Sequence, residues 1–165
     1  MDSLPRVVYD CNIFWRAVYS ATNRGSIAAC IDLIRERRVL HFLSYETLTE
    51  IQDVLTRPES LKQFSTVSRR EVDLFLVGIA DQSAVVKNVP RIFKFPRDPK
   101  DEPYIELASF VDADYLVTLD RDLLDLMTGT DVESKQFRQR FRHLKIVKPD
   151  EFLQIIIDRE LPLNP

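Results

Sequence analysis

Glycine is scarce in this chain of 165 residues, which contains only 3. The scarcity excludes a phosphate-binding loop built from several glycines, as in many nucleotide-binding proteins. Cysteine and histidine are also rare, with 2 of each, and they do not stand at the spacing of a zinc site. We expect Cys11 and Cys30 to be reduced thiols rather than a disulfide. Any metal bound by this chain must therefore be held by oxygen atoms.

The chain also lacks a long apolar run and an excess of positive charge. No stretch approaches the roughly 18 apolar residues that a membrane-spanning helix needs. The N-terminus does not show the basic and then apolar pattern of a secretory signal. We therefore expect a cytoplasmic protein without a membrane segment. The net charge of −3 argues against binding to nucleic acid through bulk charge alone.

The length and composition are those of one globular domain. A domain usually contains about 150 residues, so we expect a single domain over residues 1–165. Hydrophobic residues make up 45% of the chain and charged residues 30%. These proportions exclude a disordered chain.

Short β-branched or aromatic runs alternate with amphipathic segments along the chain. Strands are predicted over residues 6–10, 39–43, 84–86, 115–118 and 144–147. Helices are predicted to begin at Ser26, Ser44, Ser68, Asp101 and Pro149, and Ser68 forms a capping box with Glu71. This alternation favours an α/β fold in which a parallel sheet is covered by helices on both faces.

Acidic residues stand where the predicted strands end. Asp10 ends the first strand, Asp120 comes just past the fourth, and Asp101 starts the helix between the third and fourth. Ligands of open parallel sheets bind outside the carboxyl ends of the strands. Glu50 differs because it lies two turns into a helix, near the buried side, where an unpaired carboxylate is costly.

Carboxylates gathered at one edge repel each other, and a divalent cation relieves this repulsion. Oxygen ligands without histidine suit Mg²⁺ or Mn²⁺, which activate water and neutralise phosphate charge. A single aspartate at a strand end is more often a turn or cap residue. The spacing alone therefore leaves both interpretations open.

Four short motifs occur in order between residues 6 and 152. They are Asp10-Cys11-Asn12 after a strand, the helix that follows Ser44 and carries Glu50, the Asp-Pro-Lys-Asp stretch at 98–101, and residues 113–124. The last reads Ala-Asp-Tyr-Leu-Val-Thr-Leu-Asp-Arg-Asp-Leu-Leu. In this order and spacing the motifs resemble those of the PIN-domain ribonucleases, specifically the VapC-like toxins of toxin–antitoxin systems.

The resemblance implies a Rossmann-like three-layer α/β/α fold and an endoribonuclease, a hydrolase that depends on Mg²⁺ or Mn²⁺. It assigns catalytic roles to Asp10, Glu50, Asp101 and Asp120, metal binding to Asp10, Asp101, Asp120 and Asp122, and supporting roles to Asn12 and Thr118. Glu50 is expected either to bind metal or to orient the attacking water. The expected partners are single-stranded or structured RNA, a small antitoxin protein and a second copy of the chain. The alternative is a catalytically silent PIN module that serves as a scaffold for RNA or protein.

A basic segment at residues 133–148 follows the acidic motifs. It carries six lysines and arginines against one acid. One interpretation is a surface that follows RNA phosphates, and the other is an amphipathic helix with Phe137 and Phe141 packed inward. The residues assigned to RNA contact under the first interpretation are Lys135, Arg138, Arg140 and Arg142.

Overall fold

Five parallel strands form the central sheet within residues 3–20 and 25–161, which a computed structural model describes. They are β1 (Arg6–Tyr9), β2 (Leu40–Ser44), β3 (Ala84–Val86), β4 (Tyr115–Val117) and β5 (Lys145–Val147). Their order across the sheet is β3-β2-β1-β4-β5. β2 and β3 thus extend the sheet on one side of β1, and β4 and β5 extend it on the other side. This reversal creates a topological switch point between β1 and β4.

Helices cover both faces of the sheet in the described residues. They are α1 (Cys11–Tyr19), α2 (Ser26–Arg35), α3 (Tyr45–Leu55), α4 (Pro58–Gln63), α5 (Arg69–Asp81), α6 (Glu102–Phe110), α7 (Arg121–Asp125), α8 (Val132–Arg140) and α9 (Pro149–Glu160). A short 3-10 turn, Pro99–Asp101, precedes α6. The predicted α/β/α fold with a central parallel sheet is confirmed.

The alternation of side chains along β1 divides the core into two layers. Val7 and Tyr9 pack with residues of α1, α2, α3, α5 and α9. Val8 points to the opposite face and packs with residues of α6, α7 and α8. Successive strand residues face opposite sides of a sheet, so each layer receives its own apolar set.

The predicted strands agree with the structure to within one residue at each end, the usual uncertainty of such boundaries. Ser44 and Ser68 cap α3 and α5 as predicted, and each accepts a hydrogen bond from a backbone N–H three residues on. The predicted cap at Ser26 is wrong, because Gly25 occupies the N-cap of α2 and Ser26 is the first helical residue. None of the helices in the two described ranges is long and apolar enough to cross a membrane.

Candidate functional site

Asp10 lies directly after β1, at the sheet edge where ligands of parallel sheets bind. Its backbone N–H donates to Val117 O of β4 over 3.0 Å, which joins the ends of the two central strands. The side chain caps α1 by accepting a hydrogen bond at Oδ1 from Cys11 N, at 2.6 Å. The residue is 4% exposed. Asp10 is therefore held rigidly at the switch point of the sheet.

Two polar side chains hold the second oxygen of Asp10. Thr118 Oγ1 donates to Asp10 Oδ2 over 2.6 Å, and Asn12 Nδ2 donates to the same atom over 3.0 Å. Thr118 also accepts from Asp120 N, and Asn12 Oδ1 accepts from Leu119 N. The two residues named as supports by the motif resemblance thus link Asp10 to the chain that leads to Asp120.

Asp101 lies at the start of α6, and Asp120 lies at the start of α7. Each occupies an N-cap position, but only Asp120 caps its helix, by accepting from Asp122 N over 2.8 Å. Asp101 is 7% exposed and makes no capping hydrogen bond. Its Oδ2 is buried without a hydrogen-bond partner in the described part of the chain. The side chain of Asp101 is therefore not used as an ordinary cap.

Asp98 joins Asp101 and Asp120 in a cluster. Each of the three carboxylates offers an oxygen atom, and these oxygens lie within 4.8 Å of one another. Asp98 begins the Asp-Pro-Lys-Asp motif, but the motif resemblance assigns it no role. Its spacing of three residues from Asp101, across a turn that begins with proline, is the signal that could have identified it.

Burial, together with the proximity of other acids, perturbs the protonation of Asp10 and Asp101. Burial raises the pKa of Asp10 from 3.8 to about 6, although hydrogen bonds from Thr118 and Cys11 oppose this shift. Burial also raises the pKa of Asp101, to about 8, and the charges of Asp10 and Asp120 add to it. Such shifts mark carboxylates that cannot all ionise without a compensating charge.

Glu50 approaches the cluster from α3, on the other side of the sheet edge from α6. Its Oε2 accepts a hydrogen bond from Tyr104 Oη of α6 over 2.6 Å. Its charge is among those that raise the pKa of Asp10. Tyr104 is buried and was not identified from the sequence, where it has the pattern of an ordinary core aromatic. The structure thus brings Glu50 close to Asp10 and fixes one of its oxygens.

Cys11 lies between these groups. Burial raises the pKa of its thiol to about 12, and the charges of Glu50 and Asp10 act in the same direction. Without a bound cation, the thiol therefore stays protonated at neutral pH. Both cysteines of the chain are free, as predicted.

Asp122 is oriented differently from the other predicted metal-binding residues. Its Oδ1 forms an ion pair with Arg97 at 3.5 Å. The same guanidinium contacts Asp125 and Asp131. Asp122 thus belongs to a group of acids whose charge Arg97 neutralises. Arg97 directly precedes Asp98 in the chain.

The basic segment covers most of α8, the turn that follows it and β5. Phe137 is fully buried and its ring contacts those of Phe93 and Phe141. Arg138 donates to two backbone carbonyls, Leu126 O at 2.7 Å and Gly129 O at 2.8 Å. Arg140 likewise donates to a carbonyl, and Arg142 and Lys135 are exposed. The second interpretation predicts that both rings pack inward, and Phe137 is buried while the partly buried Phe141 packs against the same core cluster. Arg138 and Arg140 hold neighbouring backbone segments through their hydrogen bonds.

A protein-family model matches most of the chain. The model of the PIN domain matches residues 6–122, a range that includes Asp10, Glu50, Asp101 and Asp120. The chain belongs to the PIN-domain family. PIN domains are generally metal-dependent nucleases, and their fold is nuclease-like. A comparison with curated proteins gave no match.

The acidic residues of this PIN domain fit a divalent metal ion. All the convergent donors are carboxylate oxygens, the ligand type that hard divalent cations prefer. The unpartnered Oδ2 of Asp101 is a buried acceptor that a cation would satisfy. The residues best placed to hold the ion are Asp98, Asp101 and Asp120, with Asp10 beside them.

Proposed function

We propose that this PIN domain is an endoribonuclease that depends on Mg²⁺ or Mn²⁺ and hydrolyses phosphodiester bonds of RNA. The observation that carries the proposal is Asp101, a buried carboxylate with an unpartnered oxygen beside Asp10 and Asp120. A folded chain tolerates such a group when a bound ligand compensates it. The membership of the PIN family supports nuclease chemistry at this position.

A divalent cation bound here would lower the pKa of an attacking water and neutralise charge on the phosphate. The chain's own residues prepare for this in two ways. Thr118 and Asn12 fix the orientation of Asp10. Tyr104 fixes one oxygen of Glu50 and leaves Oε1 to bind metal or to orient the water. Water adds to phosphorus, the P–O3′ bond breaks, and the 3′ oxygen takes up a proton, which leaves a 5′-phosphate and a 3′-hydroxyl.

The charge distribution supports a requirement for metal before RNA can bind. Residues 98–125 carry nine acidic and two basic residues, so the site itself repels a polyanion. Bound cations remove much of this repulsion. The basic segment after it would then contact the RNA backbone through the exposed Lys135 and Arg142, together with the N–H groups that Arg138 and Arg140 do not use internally.

The substitution Asp10→Asn tests the assignment. Asn keeps the acceptor that caps α1 but removes the negative charge. We expect the variant to remain folded and to lose Mn²⁺-dependent RNA cleavage, measured on a labelled single-stranded RNA. Asp158→Asn, which removes an exposed acid from α9, is the control and is expected to cleave like the parent. Equal cleavage by Asp10→Asn and the parent would show that the site is wrongly assigned.

The motif resemblance supports a finer proposal, that the ribonuclease is the toxin of a toxin–antitoxin pair. Expression of the parent chain in a bacterial host is expected to arrest growth, whereas Asp10→Asn is expected not to. Co-expression of a small protein from a neighbouring reading frame is expected to restore growth. The proposal also includes a homodimer, which sedimentation velocity tests. A protein that neither binds Mn²⁺ nor cleaves RNA would instead support the silent scaffold.

A further inference from the structure

The geometry of the 3-10 turn before α6 places Asp98 and Asp101 on one side of the chain. Asp98 precedes the turn Pro99–Asp101, and Asp101 is its last residue. Asp98 is the extended N-cap of this single turn and Asp101 ends it, so the two side chains are separated by one turn of three residues. Pro99 favours this turn because its fixed φ suits the first helical position. The two carboxylates therefore face the same space, which Asp120 closes from the end of β4.

Asp98 has an oxygen available for a ligand. Oδ1 accepts a hydrogen bond from Lys100 N over 3.1 Å. Within the described ranges, Oδ2 has neither a hydrogen bond nor an ion pair. The neighbouring guanidinium of Arg97 is directed to other acids. Asp98 can thus cap the turn with one oxygen and bind a cation with the other.

An independent observation indicates that this space accepts a cation. Oδ2 of Asp101 is buried, has no hydrogen-bond partner in the described residues, and lies among other carboxylates. Buried polar atoms of folded proteins are almost always hydrogen-bonded or bound to an ion. A neutral partner would leave the surrounding negative charges uncompensated, whereas a divalent cation compensates them together.

Asp122, two residues after Asp120, does not face the cluster of carboxylates. Asp122 forms an ion pair with Arg97 and is not among the clustered carboxylates of the described residues. Asp122 is directed to Arg97 rather than into the space between Asp98, Asp101 and Asp120. Asp98 already offers an oxygen atom to that space.

We propose that Asp98 binds the divalent metal ion together with Asp101 and Asp120, and that Asp122 remains paired with Arg97. This inference rests on the proposed metal-dependent function and adds a ligand to it. The metal would then tie the 3-10 turn to the end of β4.

Binding of Mn²⁺ to the full chain without RNA tests the inference by isothermal titration calorimetry. Asp98→Asn removes the charge but keeps an acceptor for Lys100 N. We expect its dissociation constant for Mn²⁺ to rise by at least about tenfold. Removing a residue that only hydrogen-bonds to a metal ligand already weakens metal binding by about this factor. Asp125→Asn, which also removes one negative charge near Arg97, is the control and is expected to change affinity less than about threefold, as screened charges do.

Each outcome decides the inference. A tenfold loss for Asp98→Asn with a smaller loss for Asp122→Asn supports it, whereas parent-like affinity of Asp98→Asn, or an equal loss for Asp122→Asn, overturns it. If circular dichroism shows that Asp98→Asn is unfolded, Asp98→Ser replaces it, because serine also caps. If the parent cleaves RNA and Asp98→Asn binds Mn²⁺ as tightly as the parent, the role of Asp98 is refuted but the proposed function is not. A parent that binds no Mn²⁺ refutes both.

Discussion

The substitution Asp101→Asn is expected to stabilise the metal-free protein while removing its function. In the folded chain the pKa of Asp101 is raised from 3.8 to about 8 by burial and by the charges of Asp10, Asp120, Asp98 and Glu50. The unfolded chain has no such environment, so its Asp101 ionises near 3.8. Folding at neutral pH therefore requires this carboxyl to take up a proton. Asparagine has a similar shape and does not titrate, so the variant does not carry this cost.

The magnitude follows from the difference in pKa. Below pH 3.8 both states of the parent are protonated at this position, and the carboxyl contributes no penalty. As the pH rises from 3.8 to 7, each unit costs the parent about 1.4 kcal/mol. The upper bound at pH 7 is thus about 4 kcal/mol. Salt screens only the part of this penalty that comes from the neighbouring charges, and we expect Asp101→Asn to be more stable than the parent by about 2 kcal/mol or more.

Urea denaturation in EDTA at pH 4 and at pH 7 measures this difference. The difference in unfolding free energy between Asp101→Asn and the parent is expected to be small at pH 4 and to grow toward pH 7. Asp158→Asn, at an exposed position, is the control for the loss of one acid. Mn²⁺ is expected to raise the unfolding midpoint of the parent more than that of Asp101→Asn, because a ligand that binds the folded state stabilises it. If Asp101→Asn is no more stable than the parent at pH 7, or if the stability difference is equal at both pH values, the reasoning is refuted.

Two further predictions concern buried side chains. Tyr104→Phe removes the hydrogen bond to Glu50. Because a bond to a charged group contributes about 1.5–3 kcal/mol, we expect Mn²⁺-dependent cleavage to fall by about tenfold or more, whereas Tyr45→Phe on the exposed start of α3 should cleave like the parent. Unchanged cleavage by Tyr104→Phe would contradict a role for this bond. His41 is buried with its pKa lowered to about 3 by burial, so its folded form resists protonation while its unfolded form ionises near 6.5. The stability of His41→Phe relative to the parent should therefore increase as the pH falls from 6.5 to 4, by as much as about 3 kcal/mol in urea denaturation, and a pH-independent difference would contradict this.

The tautomer of His41 follows from its neighbours. Ser83 Oγ donates to Ile79 O, so it must accept from His41 Nδ1, which lies 2.6 Å away. Nε2 then carries no proton, and it has no partner within the described residues. The ring packs against those of Tyr9 and Phe14. This apolar environment explains why burial alone lowers the pKa.

The sequence determined the order of the elements and the edge at which the acids gather. Apolar runs such as that of β1 are local signals, because strand formation depends on residues adjacent in the chain. Placement of Asp10 and Asp120 at carboxyl ends then followed from the parallel sheet that alternating strands and helices require. The cap at Ser68 was equally local, since its partner Glu71 is three residues away.

The tertiary structure alone decided which oxygens remain available for a ligand. The ion pair of Asp122 with Arg97 and the bond of Tyr104 to Glu50 join residues 25 and 54 positions apart. The unpartnered oxygen of Asp101 likewise depends on what surrounds α6. No local pattern encodes such contacts, because they arise only when the two halves of the sheet meet at the switch point. The residue types therefore predict metal chemistry at this edge, whereas burial and hydrogen bonding select the carboxylates that can bind the metal.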